Sequence, residues 1–504
     1  MEIERKHTFF HSFDTVVDTT LFREETLEAI VPDACPDMLE IIETVGIVVL
    51  TDKSAKDGQG EMTGEIRASV LYRSDADEAV RHMDVTLPFH CTVEHNAMTS
   101  ESKLMAKPSL RRIDARALNP RKVLIRAEVA VAVSVRLPKE TQMLCEIACE
   151  EKAGLQQKIE QVRHFMTVCV EEKAFSLSDT IRLPAGTCEE LLSARAVPVC
   201  SEAKIIGTKL ICKGDVRTEI LYRSAGQVEL VKYELPFSQI LEVSNAGEDS
   251  IVTLLPVLKE LSCTPENGGD DLSVSLTVLA QAVVEEERTF TVIRDLYSTA
   301  FEVTAMAETL RLRQMVENAE LPVTIRETVE TPTAARRVID CSVELGQVTM
   351  TEEGNQTTLT APGMAYVLYQ DESDQLHQAA GAFMASCPLD AQNGALISSI
   401  CLLDAESYAT PTAGGVEARI SLRFHAVMCT ERQLAVVGDM TMDAEHPRAS
   451  EGEPSLILRP LQPGEQLWDI AKHYHTTVEE LMRANELTDS EVLGGKMLLI
   501  PRQR

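Results

Sequence analysis

Several short clusters in this chain carry side chains able to do chemistry. Cys145 and Cys149 form a C-x3-C pair, the kind of thiolate spacing that can hold zinc, but no second pair follows at the distance a tetrahedral site needs. His90, Cys91 and His95 offer three more donors, yet they lie beside an alternating pattern that sends neighbours to opposite faces. His473 and His475 stand two apart at the end of a helical pattern, on different faces of that helix. The run Glu285-Glu286-Glu287 reads as a solvated face, not an acid/base pair. Gly268-Gly269 and Gly414-Gly415 precede strand patterns and read as turns. No P-loop, nucleophile elbow or dinucleotide fingerprint is present. The expectation is a non-enzyme with no catalytic residues, no metal and no cofactor.

The stretch from Ile457 to Pro501 is the richest in local signals. Ile457, Leu458 and Leu461 make an apolar run that fits a strand, closed by a Pro463-Gly464 turn. Leu467, Ile470, Ala471 and Tyr474 follow the i, i+3, i+4, i+7 spacing of a helix with one buried face. Thr477 with Glu480 three residues on makes a capping box for a second helix, which carries Val478, Leu481 and Met482 and ends at Asn485. A Gly494-Gly495 turn leads to a last strand, Met497 to Pro501. Trp468 is the only tryptophan of the chain, and with Tyr474 it reads as core of this small unit.

Other elements come from a repeat. GEIRASVLYRSD at 64–75 matches GDVRTEILYRSA at 214–225, and PGMAYVLYQDES at 362–373 is a looser third copy. The aligned tyrosines are Tyr72, Tyr222 and Tyr369, 150 and 147 residues apart. Leu87-Pro88-Phe89 and Leu235-Pro236-Phe237 follow the first two, while the third copy has only Phe383 nearby. An alternating strand starts 51, 50 and 49 residues after each tyrosine, at Val123, Leu272 and Ala418. A period of two with one wet face means an antiparallel sheet. Pro- and acid-rich segments such as 31–42 and 183–194 read as short helices or turns.

The fold class expected is therefore mainly β: three tandem β-rich, antiparallel, sandwich-like repeat domains plus a small α+β (βααβ) domain. The expected boundaries are 1–152, 153–303 and a divergent 304–444, then a polar linker at 445–456 and the small domain at 457–504.

Composition narrows the function classes. The chain has 504 residues and a net charge of −31, of which −30 lies in residues 1–456. So acidic a surface repels nucleic acid and anionic membrane, which need clustered Lys and Arg. The charged start, MEIERKHTFFHSFDT, lacks the apolar stretch of a secretory signal, and no apolar run is long enough to span a bilayer. Thirteen irregularly spaced cysteines suit reduced thiols. The expectation is a cytoplasmic protein.

The C-terminal stretch resembles a LysM domain, the module known for binding N-acetylglucosamine polymers such as peptidoglycan and chitin. The resemblance implies a shallow groove between the loop before the first helix and the loop after the second. The groove residues implied are Pro463, Gly464, Glu465, Gln466, Leu467, Asn485, Glu486, Leu487, Thr488 and Asp489. Where the family commonly has Gly-Asp-Thr-Leu, this chain has Gly464-Glu465-Gln466-Leu467. The repeats together with this tail resemble the SPOCS domain family of endospore-forming bacteria, and in particular SipL-type spore coat morphogenetic proteins. That resemblance implies action in the mother-cell cytoplasm at the forespore surface. It also implies docking of the LysM domain to a coat morphogenetic ATPase of the SpoIVA type rather than to a glycan.

Overall fold

The computed structural model describes residues 3–184, 186–353, 356–389, 395–448, 456–462, 464–487 and 497–501. Unit 1 is built from β1 (Ile3–Ile30), β2 (Met38–Lys56), β3 (Gln59–Ser74), β4 (Val80–Glu94), β5 (Lys103–Asn119) and β6 (Lys122–Cys149). Unit 2 contains β7 (Leu155–Arg182), β8 (Glu190–Ile206), β9 (Lys209–Ser224), β10 (Gln227–Glu242), β11 (Ile251–Glu266) and β12 (Asp271–Ser298). Unit 3 runs through β13 (Phe301–Val329), β14 (Ala335–Leu345), β15 (Thr349–Glu353), β16 (Gln356–Asp371), β17 (Leu376–Leu389), β18 (Leu396–Thr412) and β19 (Gly415–Pro447).

Each unit is a two-sheet sandwich. Its first and last strands are long antiparallel partners, with the next-to-last strand on the outer side of the last one. Its three middle strands form the second sheet. In unit 3 the short β15 adds to the same edge of β16 as β14. The sheets meet over an apolar layer because alternate residues of the last strand point inward. In unit 1, Val123, Ile125, Ala127 and Val129 face Ile66, Val70, Leu87 and Phe89. Units 1 and 2 share one six-stranded sheet, joined where Phe13 of β1 pairs with Thr167 of β7.

The repeated residues have one structural job each. Tyr72, Tyr222 and Tyr369 are the largest fully buried side chains. Gly64, Gly214 and Gly363 each lie directly across from a phenylalanine: Phe89, Phe237 and Phe383. The ring lies over the glycine so closely that a Cβ on Gly64 or Gly363 would fall 2.3 Å from the Cζ of its partner. Phe383 is thus the counterpart of Phe89 and Phe237. The proline between, Pro88, is exposed on the far face, so unit 3 loses nothing in the core by lacking it.

The Pro-rich lead segments are turns followed by strand, not helices. Cys35 N–H closes a turn onto Pro32, and Met38 already belongs to β2. Each following strand then carries a β-bulge at the same place: between Ile41 and Glu43, Leu191 and Ser193, and Val338 and Asp340. A bulge re-aims one side chain out of the alternation. Here it sends Ile42, Leu192 and Ile339 away from their own sandwiches into a shared cluster with Leu71, Leu221 and Leu368. These are equivalent residues from all three units, the second trio being the residue before each tyrosine.

Polar contacts around that cluster run in a ring. His82 of β4 meets Glu190 of β8 at 2.9 Å, Arg337 of β14 pairs with Glu229 of β10 at 2.5 Å, and Gln378 of β17 donates to Glu43 of β2 at 3.1 Å. Each unit thereby touches the next, and the third touches the first. The acidic run of β12 is a correction to the sequence reading: Glu285 is buried, bonded to Thr167 and facing Arg136 and Arg313. Burial raises its pKa. It looked solvated because the wet face of β12 is covered by neighbouring units.

Candidate functional site

Residues 456–501 fold as β20 (Leu456–Pro460), α1 (Leu467–Tyr474), α2 (Val478–Ala484) and β21 (Met497–Pro501), with the two strands paired antiparallel. Leu467, Ile470, Ala471 and Leu481 pack the helices against Leu498 and Ile500. Thr477 Oγ1 accepts from Glu480 N–H at 3.1 Å, the expected cap. Asn485 closes α2 and its side chain is fully engaged, donating to Leu481 O and Leu499 O and accepting from Leu499 N–H.

The groove residues have unequal fates. Pro463, Thr488 and Asp489 lie outside the described residues, as do Gly494, Gly495 and most of the linker. Gly464 takes a left-handed φ of 83° with open space around it, the turn geometry that favours glycine. Glu465 accepts from Gln462 N–H at 3.0 Å and pairs with Arg459 at 2.5 Å. The Gln462 N–H, with help from Arg459, holds its carboxyl below the ordinary range. Leu467 is buried, Leu487 packs on the core and Glu486 is exposed. Gln466, standing where the family commonly has a small hydroxyl residue, is exposed and accepts from Lys158 Nζ of β7 at 2.7 Å. Of the described groove side chains, Glu465, Gln466 and Asn485 are therefore all tied to protein partners.

The module rests on unit 2 through residues the sequence reading missed. Tyr297 of β12 is buried inside the module's own core cluster, and its hydroxyl donates to Thr476 O at 2.8 Å. Burial raises the Tyr297 pKa well above the usual phenol range. The Trp468 ring meets Tyr297 edge-on, centroids 5.0 Å apart. Its indole N–H donates to Asp295 Oδ2 at 2.8 Å, while Lys472 Nζ reaches Asp295 Oδ1 at 2.6 Å. Burial works against the Asp295 carboxylate, but Lys472 and Trp468 together hold its pKa below the ordinary aspartate range. Trp468 is thus half-buried at an interface instead of central in its own module. Nothing in the Asp295-Leu296-Tyr297 sequence distinguishes it from any other strand.

The outer face of the module's sheet is apolar. Leu456, Leu458 and Met497 are 54%, 63% and 55% exposed on the side away from Leu498 and Ile500.

A second region of interest lies beside the junction cluster. A cavity of about 970 Å³ is lined by β2 and β5, β8 and β11, and β14 and β18, equivalent strands of the three units, with side chains of β9, β10, β16 and β17 completing it. Arg195 there bridges Glu219 at 2.7 Å and Asp340. Glu43 is buried beside them, and its Oε2 finds no partner among the described residues. Burial, reinforced by Asp340, raises its pKa to about 7. Lys107 donates to Leu402 O at 3.2 Å, and burial lowers its pKa.

The other candidates do not assemble. Cys91 is buried in the core of unit 1 while His90 points to the opposite, exposed face. Cys145 Sγ bonds the carbonyl of Lys6. Among the described residues no three His, Cys, Asp or Glu groups are placed to share a metal ion, and no helix is long and apolar enough to cross a membrane.

Fold and site together define a class: tandem antiparallel β sandwiches carrying a C-terminal βααβ module. The family model described as SipL, SPOCS domain matches residues 37–118 and 188–266, and the LysM domain model matches residues 461–501. The chain thus carries two SPOCS domain segments, in units 1 and 2, and a C-terminal LysM domain. The two SPOCS segments cover β2 to β5 and β8 to β11, the second sheet and the cavity-lining strand of units 1 and 2. They assign the chain a sporulation-related role, and LysM is a glycan-binding type of module. Comparison with curated proteins finds no match.

Proposed function

We propose that the protein is a non-enzymatic sporulation scaffold that helps assemble or localise the spore coat. It acts in the mother-cell cytoplasm at the forespore surface. Its LysM module docks to a coat morphogenetic protein, an ATPase of the SpoIVA type. The observation that carries this reading is the state of the module's two faces. The groove side chains Glu465, Gln466 and Asn485 are already bonded to protein partners. The outer sheet face, by contrast, presents Leu456, Leu458 and Met497 to solvent. Contiguous exposed apolar side chains suit a protein partner, whereas a sugar needs free polar groups in a groove.

The LysM match itself favours a second reading, a protein that binds peptidoglycan through the same module. Sedimentation of the full chain with insoluble peptidoglycan separates the two. The scaffold reading expects the protein to stay in the supernatant. Retention that chitin oligomers compete away would establish the glycan reading instead.

A further inference from the structure

We propose that the cavity at the junction of the three β units is a binding site for a linear organic polyamine, with carboxylates toward its two ends and apolar and tyrosine walls between them. The site is built on the repeat. Counted from the bulge of each lead strand, Glu43, Ser193 and Asp340 are equivalent, and all three are buried. Two residues on, alternation brings Val45, Arg195 and Ser342 to the same face, and two further on, Ile47, Val197 and Glu344. All six of these line the cavity.

The charges on these positions do not cancel. Arg195 answers both Asp340 and Glu219, and Lys232 also pairs with Glu219. Arg217 is taken by Asp404 and Glu406. Lys107 bonds only a carbonyl, and burial works against its charge. Glu43 is left over. It is 4% exposed, accepts one bond from Gln378 at Oε1, and its Oε2 has no partner among the described residues. Glu344 is a second such carboxylate. The Tyr366 hydroxyl donates to it at 3.1 Å, while Arg111, Arg112 and Arg195 attract it from farther off.

A carboxylate removed from water needs a partner of opposite charge. Asp340, beside Glu43, lies four residues from Glu344 on one face of β14, about 13 Å at roughly 3.3 Å per residue. A ligand that serves both places carries two cations on an apolar chain. Val45, Ile47 and Leu258 line the space for such a chain, and Tyr233, Tyr366 and Tyr408 offer aromatic faces that attract an ammonium. Val197 and Tyr408 are 56% and 54% exposed and mark the mouth. A metal ion is the poorer fit, because among the described residues no three ligating groups are placed to share one.

Burial raises the pKa of both Glu43 and Glu344 to about 7. Glu43 is faced by Asp340 of β14, Arg195 of β8 and Gln378 of β17; Glu344 is faced by Tyr366 of β16, Arg111 and Arg112 of β5, and Arg195. A bound ammonium favours the ionised form of each, so affinity rises with pH through that value. Because all three units line the site, an occupant also braces their junction.

Calorimetric titration of the full chain with spermidine tests this, in about 0.15 M salt to screen the exposed charges. One site is expected, binding about tenfold or more tightly at about pH 8 than at about pH 6, a range in which aliphatic amines stay charged. Glu43→Gln and Glu344→Gln are each expected to weaken binding about tenfold. Glu372→Gln, on an exposed turn, is expected to leave it unchanged. The thermal midpoint of each variant checks its folding, and the pH profile of the wild type needs no variant. Absence of binding, or binding that does not tighten with pH, overturns the proposal. So does weak multi-site binding that all three variants share, which would assign spermidine to the acidic surface.

Discussion

The two junctions of the molecule are built on opposite principles. The junction among the β units uses the same positions three times: bulge residues Ile42, Leu192 and Ile339, and Leu71, Leu221 and Leu368 beside them. It is apolar, deep and closed into a ring. The junction between unit 2 and the LysM module is made once, because the chain carries one such module. Asp295, Tyr297 and Lys158 reach Trp468 and Lys472, Thr476, and Gln466 there, whereas Asp439, beside the equivalent bulge of unit 3, pairs with Arg5 of unit 1 at 2.7 Å. It has one buried aromatic ring and a rim of charged hydrogen bonds. Repetition gives a junction that cannot open without exposing three faces together. Uniqueness gives one that can open alone, which suits the part of the chain proposed to bind.

The largest expected effect lies at the first junction. Leu221→Ala removes a nearly fully buried side chain from the shared cluster. It should cost about 3 kcal/mol, read as a lower midpoint in chemical denaturation. A loss confined to unit 2, with units 1 and 3 unaffected in hydrogen exchange, would break the picture of a common ring.

Next comes Glu43. Its folded pKa of about 7 exceeds the ordinary 4.5, so the ionised form is penalised by folding. The penalty is absent below pH 4.5, grows as pH rises, and is complete above pH 7. Wild type should therefore lose stability between pH 5 and 8 by on the order of 2 kcal/mol, and Glu43→Gln should not. Parallel pH profiles of the two thermal midpoints would show that Glu43 is not strained at the ring.

The smallest effect is expected at the second junction. Tyr297→Phe keeps the ring in the module's core and loses only the bond to Thr476 O. It should cost about 1 kcal/mol and leave the β units unchanged in hydrogen exchange. Global loosening after this change would mean that the tail is part of the ring's stability and not a separable contact.

Much of this was legible in the sequence. The strands showed because alternation survives wherever one sheet face is buried, as at Val123 to Val135. The buried tyrosines and the Gly–Phe pairs showed as repeated letters, although Phe383 could be matched to its glycine only in the folded register. Both helices of the LysM module were readable from their apolar stripe and capping box. The ring was hidden because Ile42, Leu192 and Ile339 fall out of phase at bulges, which look like noise in a period of two. The contact between unit 2 and the LysM module was hidden because its residues lie far apart in the chain, Lys158 and Gln466 among them. Gln466 stood out as a departure from the family pattern; its partner could not be read from spacing.

The central claim is that the LysM module directs a scaffold to the forespore. It is tested most directly by following the fluorescently tagged full chain and a variant lacking 457–504 in sporulating cells. The account predicts a ring of signal at the forespore for the full chain and diffuse mother-cell signal for the shortened one, with the β units still folded by circular dichroism. A forespore ring formed by the shortened chain would contradict it.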